Sequence, residues 1–345
     1  VVEPYKVDFI ERDVPPIKDD EVLIEIKACA ICGSDLHIFK GKHPSAPLPV
    51  TIGHELSGVV LETGGNVTKV KRGDRVTVEP CIVCGKCPAC RQGNYSFCET
   101  ISFTYRNGDG AMANYIVIKE PYVYTLPDRL SFEEGILIEP LAVATHAVRR
   151  ADIKLGETVA VIGAGAIGLL VTALCRQCGA SDIVVCDASA ERLKAAVDFG
   201  ATETVLVPSD NIVDFIAKYT DGRGVDKSFE CVGREETFVQ AMTVLKKNGL
   251  ATIIGIFEQP QISIPAARFI THEIRVQGAQ GYCFDFPVAL KASENIDLKQ
   301  LITHEFPLDE LQQALEACLD RNSGAIKVIV KPWIKGITLQ ADEGL

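Results

Sequence analysis

Apolar and polar residues alternate along 21–30 (EVLIEIKACA), the two-residue period of a strand with one face in a core and one in solvent. Segments 56–62, 74–79 (DRVTVE) and 115–119 carry the same period, and Gly64-Gly65, Gly73-Asp74 and Asn107-Gly108 supply turns. This pattern predicts a first region of short β-strands, interrupted by a Cys-rich insertion. Beyond about residue 140 the period changes. ETVAVIG (157–163) is a continuous apolar run, AIGLLVTALCRQCG (166–179) has helical period, DIVVCD (182–187) reads as a strand, and SAERLKAAVDFG (189–200) as a helix stopped by Gly. GVDKSFECVG and LATIIGIF follow as strands. Alternation of apolar strands with helices predicts a parallel α/β sheet covered on both faces. Towards the end, 308–320 reads as an amphipathic helix and 325–331 as a strand.

The chain has 345 residues, 47% apolar and 23% charged, the composition of a globular protein, and its length suits two domains. Thirty-five basic residues against 46 acidic give a net charge of −11, which argues against nucleic acid and anionic membranes as partners. No apolar run approaches the ~20 residues of a bilayer span. Of thirteen cysteines, eight (29, 81, 175, 178, 186, 231, 283 and 318) are scattered and mostly flanked by apolar residues. They are expected as free buried thiols, which fits a reducing cytoplasm.

Two motifs carry explicit chemistry. Gly163-Ala164-Gly165-Ala166-Ile167-Gly168 lies between a predicted strand and a predicted helix, where GxGxxG can cradle a pyrophosphate at a helix N-terminus. Asp187 ends the next strand, where a carboxylate accepts from a ribose 2′-hydroxyl and repels a 2′-phosphate, favouring NAD; Arg192 would tolerate a phosphate. A glycine-tightened turn with a helix-capping Asp is the bland alternative. Cys84, Cys87, Cys90 and Cys98 are spaced to surround one tetrahedral zinc, and four thiolates leave no open position, so that site is expected to be structural. Cys81 is read as a bystander.

Three further segments are Cys32-Gly33-Ser34-Asp35-Leu36-His37, Gly53-His54-Glu55 and Glu139-Pro140. Cys32, His54 and Glu139 offer S, N and O ligands of the kind a catalytic zinc uses with one position left open. Taken singly, each has an ordinary structural reading, and spacing alone does not unite them.

With CGSDLH (32–37), GHELSG (53–58), the Cys-rich lobe, IEPLAV (138–143), GAGAIG (163–168), GYCFDFPVAL (281–290) and LITHEFPL (301–308), the chain resembles the zinc-dependent medium-chain dehydrogenase/reductase superfamily, in its sorbitol (polyol) dehydrogenase-like branch. The resemblance implies a GroES-like catalytic domain from residues 1–141 and 281–345, and a doubly wound Rossmann NAD-binding domain from 142–280. It implies a catalytic zinc on Cys32, His54 and Glu139, with Glu55 beside the metal and Asp35 behind the ligands. Ser34 and His37 resemble the proton relay. The stretch 102–107, with Phe103, Tyr105 and Arg106, would line the substrate cleft, and Tyr282 would face substrate. Gly281 stands where the animal polyol enzymes carry Arg, and those enzymes lack the four-Cys lobe that many bacterial members keep.

The expected activity is hydride transfer between NAD and a secondary alcohol, such as a polyol, sugar acid or cyclitol, with two zinc ions per chain in a homodimer or homotetramer. L-Threonine 3-dehydrogenase or another zinc alcohol dehydrogenase is the alternative. A zinc-lobe scaffold is disfavoured by the charge, since only Lys86 and Arg91 lie near the lobe. A zinc-free quinone reductase would leave Cys32, His54 and Glu139 without a role.

Overall fold

A computed structural model describes residues 1–14, 16–43, 46–104, 110–320 and 322–332. The chain divides into two compact units, Val1–Glu139 together with the segment from Leu301 onward, and Pro140–Gln300. Residues 281–300 thus belong to the second unit.

In the first unit the predicted alternation becomes β1 (Glu21–Ala30), β2 (Glu55–Thr63) and β3 (Arg75–Val78). The short β4 (Cys81–Ile82) and β5 (Ser102–Phe103) flank the Cys-rich loop, and β6 (Tyr115–Lys119) and β7 (Val123–Thr125) follow. β1 pairs antiparallel with β2 on one side, and with β6 on the other over Glu21–Glu25. Its inward residues Val22, Ile24 and Ile26 are fully buried beside Leu56, Val60 and Val76. That alternation is why a one-residue slip would turn the whole apolar face outward. The Asn107-Gly108 turn lies outside the described residues.

The second unit contains β8 (Thr158–Ile162), β9 (Asp182–Asp187), β10 (Glu203–Leu206), β11 (Val225–Glu230), β12 (Leu245–Ile253) and β13 (Arg275–Gly278). They form one parallel sheet in the order β10-β9-β8-β11-β12-β13. The order reverses beside β8, so the C-terminal ends of the central strands open a crevice. Helices Ala166–Gln177 and Ala190–Asp198 begin at the predicted positions, the second capped by Ser189, whose hydroxyl accepts from Arg192 N.

The chain then returns to the first unit. β14 (Ile302–Pro307) and β15 (Lys327–Lys331) are parallel, joined through helix Leu311–Leu319, and β15 pairs antiparallel with Cys29–Ala30 at the far end of β1. The first sheet is therefore completed by residues some three hundred positions from its centre. Among the described residues no helix is long and apolar enough to cross a membrane.

All thirteen cysteines are free thiols. Cys29, Cys81, Cys175 and Cys186 are buried as expected, Cys231, Cys283 and Cys318 are half-buried, and Cys178 is exposed. Cys178 is the C-cap of its helix, where the chain turns outward through Gly179, so apolar flanks in sequence did not bury it.

Candidate metal centre and dinucleotide site

The four lobe cysteines converge: the sulfurs of Cys84, Cys87, Cys90 and Cys98 all lie within 4.8 Å of one another. The edge of a tetrahedron of ~2.3 Å zinc–sulfur bonds is about 3.7 Å, so a small closure around an ion is all the site requires. The chain manages three close sulfurs by turning at Gly85 and Gly93, both in the left-handed region, with Pro88 opening the short helix Pro88–Arg91. Cys84 Sγ accepts from Cys87 N, and Cys98 Sγ from Cys84 N, both at 3.3 Å. Backbone N–H groups of Lys86 and Cys87 lower the Cys84 thiol to about 6, whereas lost hydration and the sulfurs around it raise Cys90 to about 12. Four crowded thiols cannot all ionise without a cation, and zinc is the cation this donor set suits. Cys81 stands apart in β4, paired with Phe103 of β5.

A second group, of three residues, is also assembled in the first unit. Cys32 S, a His54 ring nitrogen and a Glu55 carboxylate oxygen lie within 4.8 Å of one another. Cys32 is the N-cap of helix Gly33–Phe39, which carries Ser34, Asp35 and His37; His54 and Glu55 enter β2. Asp35, fully buried, accepts from Cys32 N at 2.9 Å and from Gly53 N at 3.0 Å, and stands 3.8 Å from His54 Nδ1. One carboxylate thus fixes both loops, the one that presents Cys32 and the one that presents His54. Against a burial that would raise it, the His54 charge and these hydrogen bonds hold the Asp35 carboxyl below its usual range. Burial opposes charge on His54, but Asp35 and Cys32 raise the imidazole well above its ordinary value. Gly53 has φ +91°, and a Cβ there would lie 2.8 Å from Cys29 Sγ, so the loop before His54 needs glycine.

Glu139 is buried in the first turn of helix Ile138–Ala151 but is not one of the three mutually close donors. The carboxylate in that trio is Glu55. Both Glu55 oxygens accept from Lys327 Nζ, at 2.8 and 2.7 Å, and the two side chains are 1% and 6% exposed. Burial would lower the Lys327 ammonium; Glu55 outweighs it and raises it, with Glu139 contributing. Lys327 escapes sequence reasoning. Its only signal is a charge within the apolar strand AIKVIVK.

In the second unit, Gly163 follows β8 with φ +101° and the helix opens at Ala166 and Ile167. A Cβ on Gly168 would stand 1.8 Å from Gly163 O, so the helix closes on the turn only with glycine there. A Cβ on Gly165 meets nothing within 4 Å, which leaves room for a pyrophosphate against backbone N–H groups. Asp187 ends β9; its carboxylate accepts from Ala164 N at 2.7 Å and Ser189 N at 2.9 Å, binding the glycine turn to the next strand. Arg192 is half-buried in the following helix.

Ser34 is buried and His37 half-buried. Tyr282 is 1% exposed and packs edge-on to Phe286, and Phe103 packs against the first unit's core. Tyr105 and Arg106 lie outside the described residues. Another missed cluster fixes the 281–290 segment: Asp285, 1% exposed, meets His146 Nδ1 at 2.8 Å and Arg149 at 2.5 Å and accepts from Cys283 N.

Residues 18–128 match the alcohol dehydrogenase GroES-like domain, and residues 166–295 match the zinc-binding dehydrogenase family. The chain is 35% identical over 325 residues to the sorbitol dehydrogenase of Bacillus subtilis, covering 92% of each. The crystal structure of 2R,3R-butanediol dehydrogenase from Bacillus subtilis superposes with a TM-score of 0.88 at 34% identity, covering 96% of this chain and 98% of that one. A zinc-binding dehydrogenase of Sinorhizobium meliloti, bound to NADP, gives a TM-score of 0.87 at 33% identity, covering 92% of this chain and 94% of that one. A GroES-like β unit, a parallel dinucleotide-binding sheet and full-length relatives at this identity agree: the chain belongs to the zinc-binding alcohol dehydrogenase family of oxidoreductases.

Proposed function

We propose that the protein is an NAD-dependent, zinc-containing dehydrogenase of secondary alcohols that carry neighbouring hydroxyls, such as polyols, sugar acids or cyclitols. The observation that carries this reading is the trio of half-buried Cys32 with buried His54 and Glu55, three donors of zinc-binding chemistry drawn from two separate segments. Cys32 and His54 would hold the ion, and Glu139 and Glu55 would be the carboxylates available to it, both bearing on the same buried ammonium, Lys327. Cys84, Cys87, Cys90 and Cys98 would hold a structural ion. When bound, zinc supplies a Lewis acid that acidifies a substrate hydroxyl, and the nicotinamide accepts the hydride.

The chain's own residues do the rest. Asp35 keeps the His54 imidazole oriented and the Cys32 loop in place. Ser34 and His37, on one short helix, pass the hydroxyl proton towards solvent. Gly163, Gly165 and Gly168 admit the pyrophosphate, with the N–H groups of Ala166 and Ile167 opening the helix beneath it. Asp187, a fixed carboxylate, accepts from an adenine ribose 2′-hydroxyl and repels a 2′-phosphate, which supports NAD over NADP. The edge strand β13 would join copies of the chain into a homodimer or homotetramer.

A screen of NAD and NADP reduction across sorbitol, xylitol, butanediol, inositol, gluconate and threonine, run beside metal analysis, tests this. The expected result is about two zinc ions per chain, one per ligand group, and activity with NAD on a polyol-type alcohol. Full activity after loss of the ion held by Cys32 would overturn it, and a preference for threonine would move the substrate class.

A further inference from the structure

The second unit holds a cavity of about 480 Å³ that the dehydrogenase reading does not use. It lies where β11 and β12 begin, between helix Ile212–Tyr219 and helix Ala267–Thr271 with the His272 that follows it. In a parallel sheet this is the edge opposite the C-terminal strand ends, where Gly163 follows β8, so the cavity is separate from the dinucleotide turn. Its size falls in the ~300–1,000 Å³ range of small-molecule sites.

The lining is the unusual feature. Arg223, Lys246, Lys247, Arg268 and His272 all face it, and no acidic residue does among the described residues, in a chain of net charge −11. Lys246 is paired with Asp226, and Arg223 stands 3.9 Å from the exposed Asp221. Lys247 has no ion-pair partner among the described residues. Arg268 donates one N–H to Leu245 O at 3.0 Å, while its buried Nε has no acceptor among the described residues. Such a buried donor costs free energy until something accepts from it. Lost hydration, then the Arg268 and Lys247 charges, hold the His272 imidazole below its ordinary value, as a positive potential requires. The remaining wall is aliphatic: Val213 and Ile216, one turn apart on their helix, face Val244. Gly224 shapes the floor; a Cβ there would lie 2.7 Å from Lys246 N.

We propose that this pocket is an anion site for an organic phosphate, with the phosphate held by Arg223, Lys247 and Arg268 and the organic body resting on Val213, Ile216 and Val244. Three cations with weak or no partners suit a dianion better than a single carboxylate, and the volume and aliphatic wall suit a body larger than inorganic phosphate.

The test is a ³¹P NMR titration of the full-length protein with phenyl phosphate and with inorganic phosphate at constant ionic strength, each with and without saturating NADH. Phenyl phosphate is expected to bind several-fold more tightly than inorganic phosphate, with its affinity unchanged by NADH. Lys247→Glu should weaken it at least fivefold, and Lys247→Gln by less. Lys299→Glu, an exposed reversal elsewhere in the same unit that changes net charge equally, should leave it unchanged. Melting temperatures of the three variants, all at exposed lysines, are expected to match the parent. Absence of binding, displacement by NADH, equal affinities for the two phosphates, or equal weakening by Lys247→Glu and Lys299→Glu would each overturn the proposal.

Discussion

Replacing Lys327 by Met removes the cation facing Glu55 while keeping most of the side-chain volume. The carboxylate is 1% exposed and loses both hydrogen bonds, at 2.8 and 2.7 Å. Breaking a buried ion pair from one side costs ~3–5 kcal/mol, because the remaining charge stays desolvated. For a unit of 150–250 residues each kcal/mol shifts the melting temperature by ~2–4 °C, so the metal-free K327M variant should melt roughly 6–20 °C lower. Scanning calorimetry on chelator-treated protein measures this. The double variant Glu55→Gln with Lys327→Met should recover most of the loss, since no buried charge is then left unmatched. Zinc-loaded K327M should lose less than the metal-free variant, because the carboxylate regains a cationic neighbour. A drop below about 3 °C, or a double variant as unstable as K327M, would refute the argument that an unmatched Glu55 sets the cost.

Cys84→Ser should reduce bound zinc from about two ions per chain to about one, measured by elemental analysis, and lower thermal stability. Gly168→Ala places a methyl 1.8 Å from Gly163 O, so the helix must shift; NADH binding, followed by its fluorescence, should weaken at least tenfold. Asp285 is held below the usual carboxylate range, despite its burial, by His146, Cys283 N and Arg149. A depressed folded value means its stabilisation is fully present above the ordinary pKa near 4 and is lost as pH falls through the lower folded one. Asp285→Asn should therefore destabilise the protein at pH 7 by ~1–3 kcal/mol and flatten acid unfolding between about pH 5 and 2.

Elements whose local period and tertiary role agree were legible in the sequence. β1 and β6 run over the residues that alternation predicts, and GAGAIG occupies the turn between β8 and its helix. The lobe was legible because four sulfurs within fifteen residues can hardly avoid one another. The trio was legible as residue types and not as a set, since bringing Cys32 beside His54 and Glu55 depends on the pairing of β1 with β2, which no local pattern encodes. Lys327 was illegible. Its partner is 272 positions away, and the pairing follows from β15 lying beside β1, which no local pattern encodes. The basic cavity was hidden for the same reason, its cations being scattered from 223 to 272 in an acidic chain.

The return of β15 to the first sheet also has a consequence for synthesis. A ribosome delivers Glu55 early and its ammonium partner only after the entire nucleotide-binding segment has emerged. The second unit, contiguous in the chain, can mature on the nascent polypeptide, whereas the first must wait with an open sheet edge and an uncompensated interior anion. Arrest of translation before residue 327 would therefore leave a fragment with a finished nucleotide fold and an unfinished, protease-sensitive β unit.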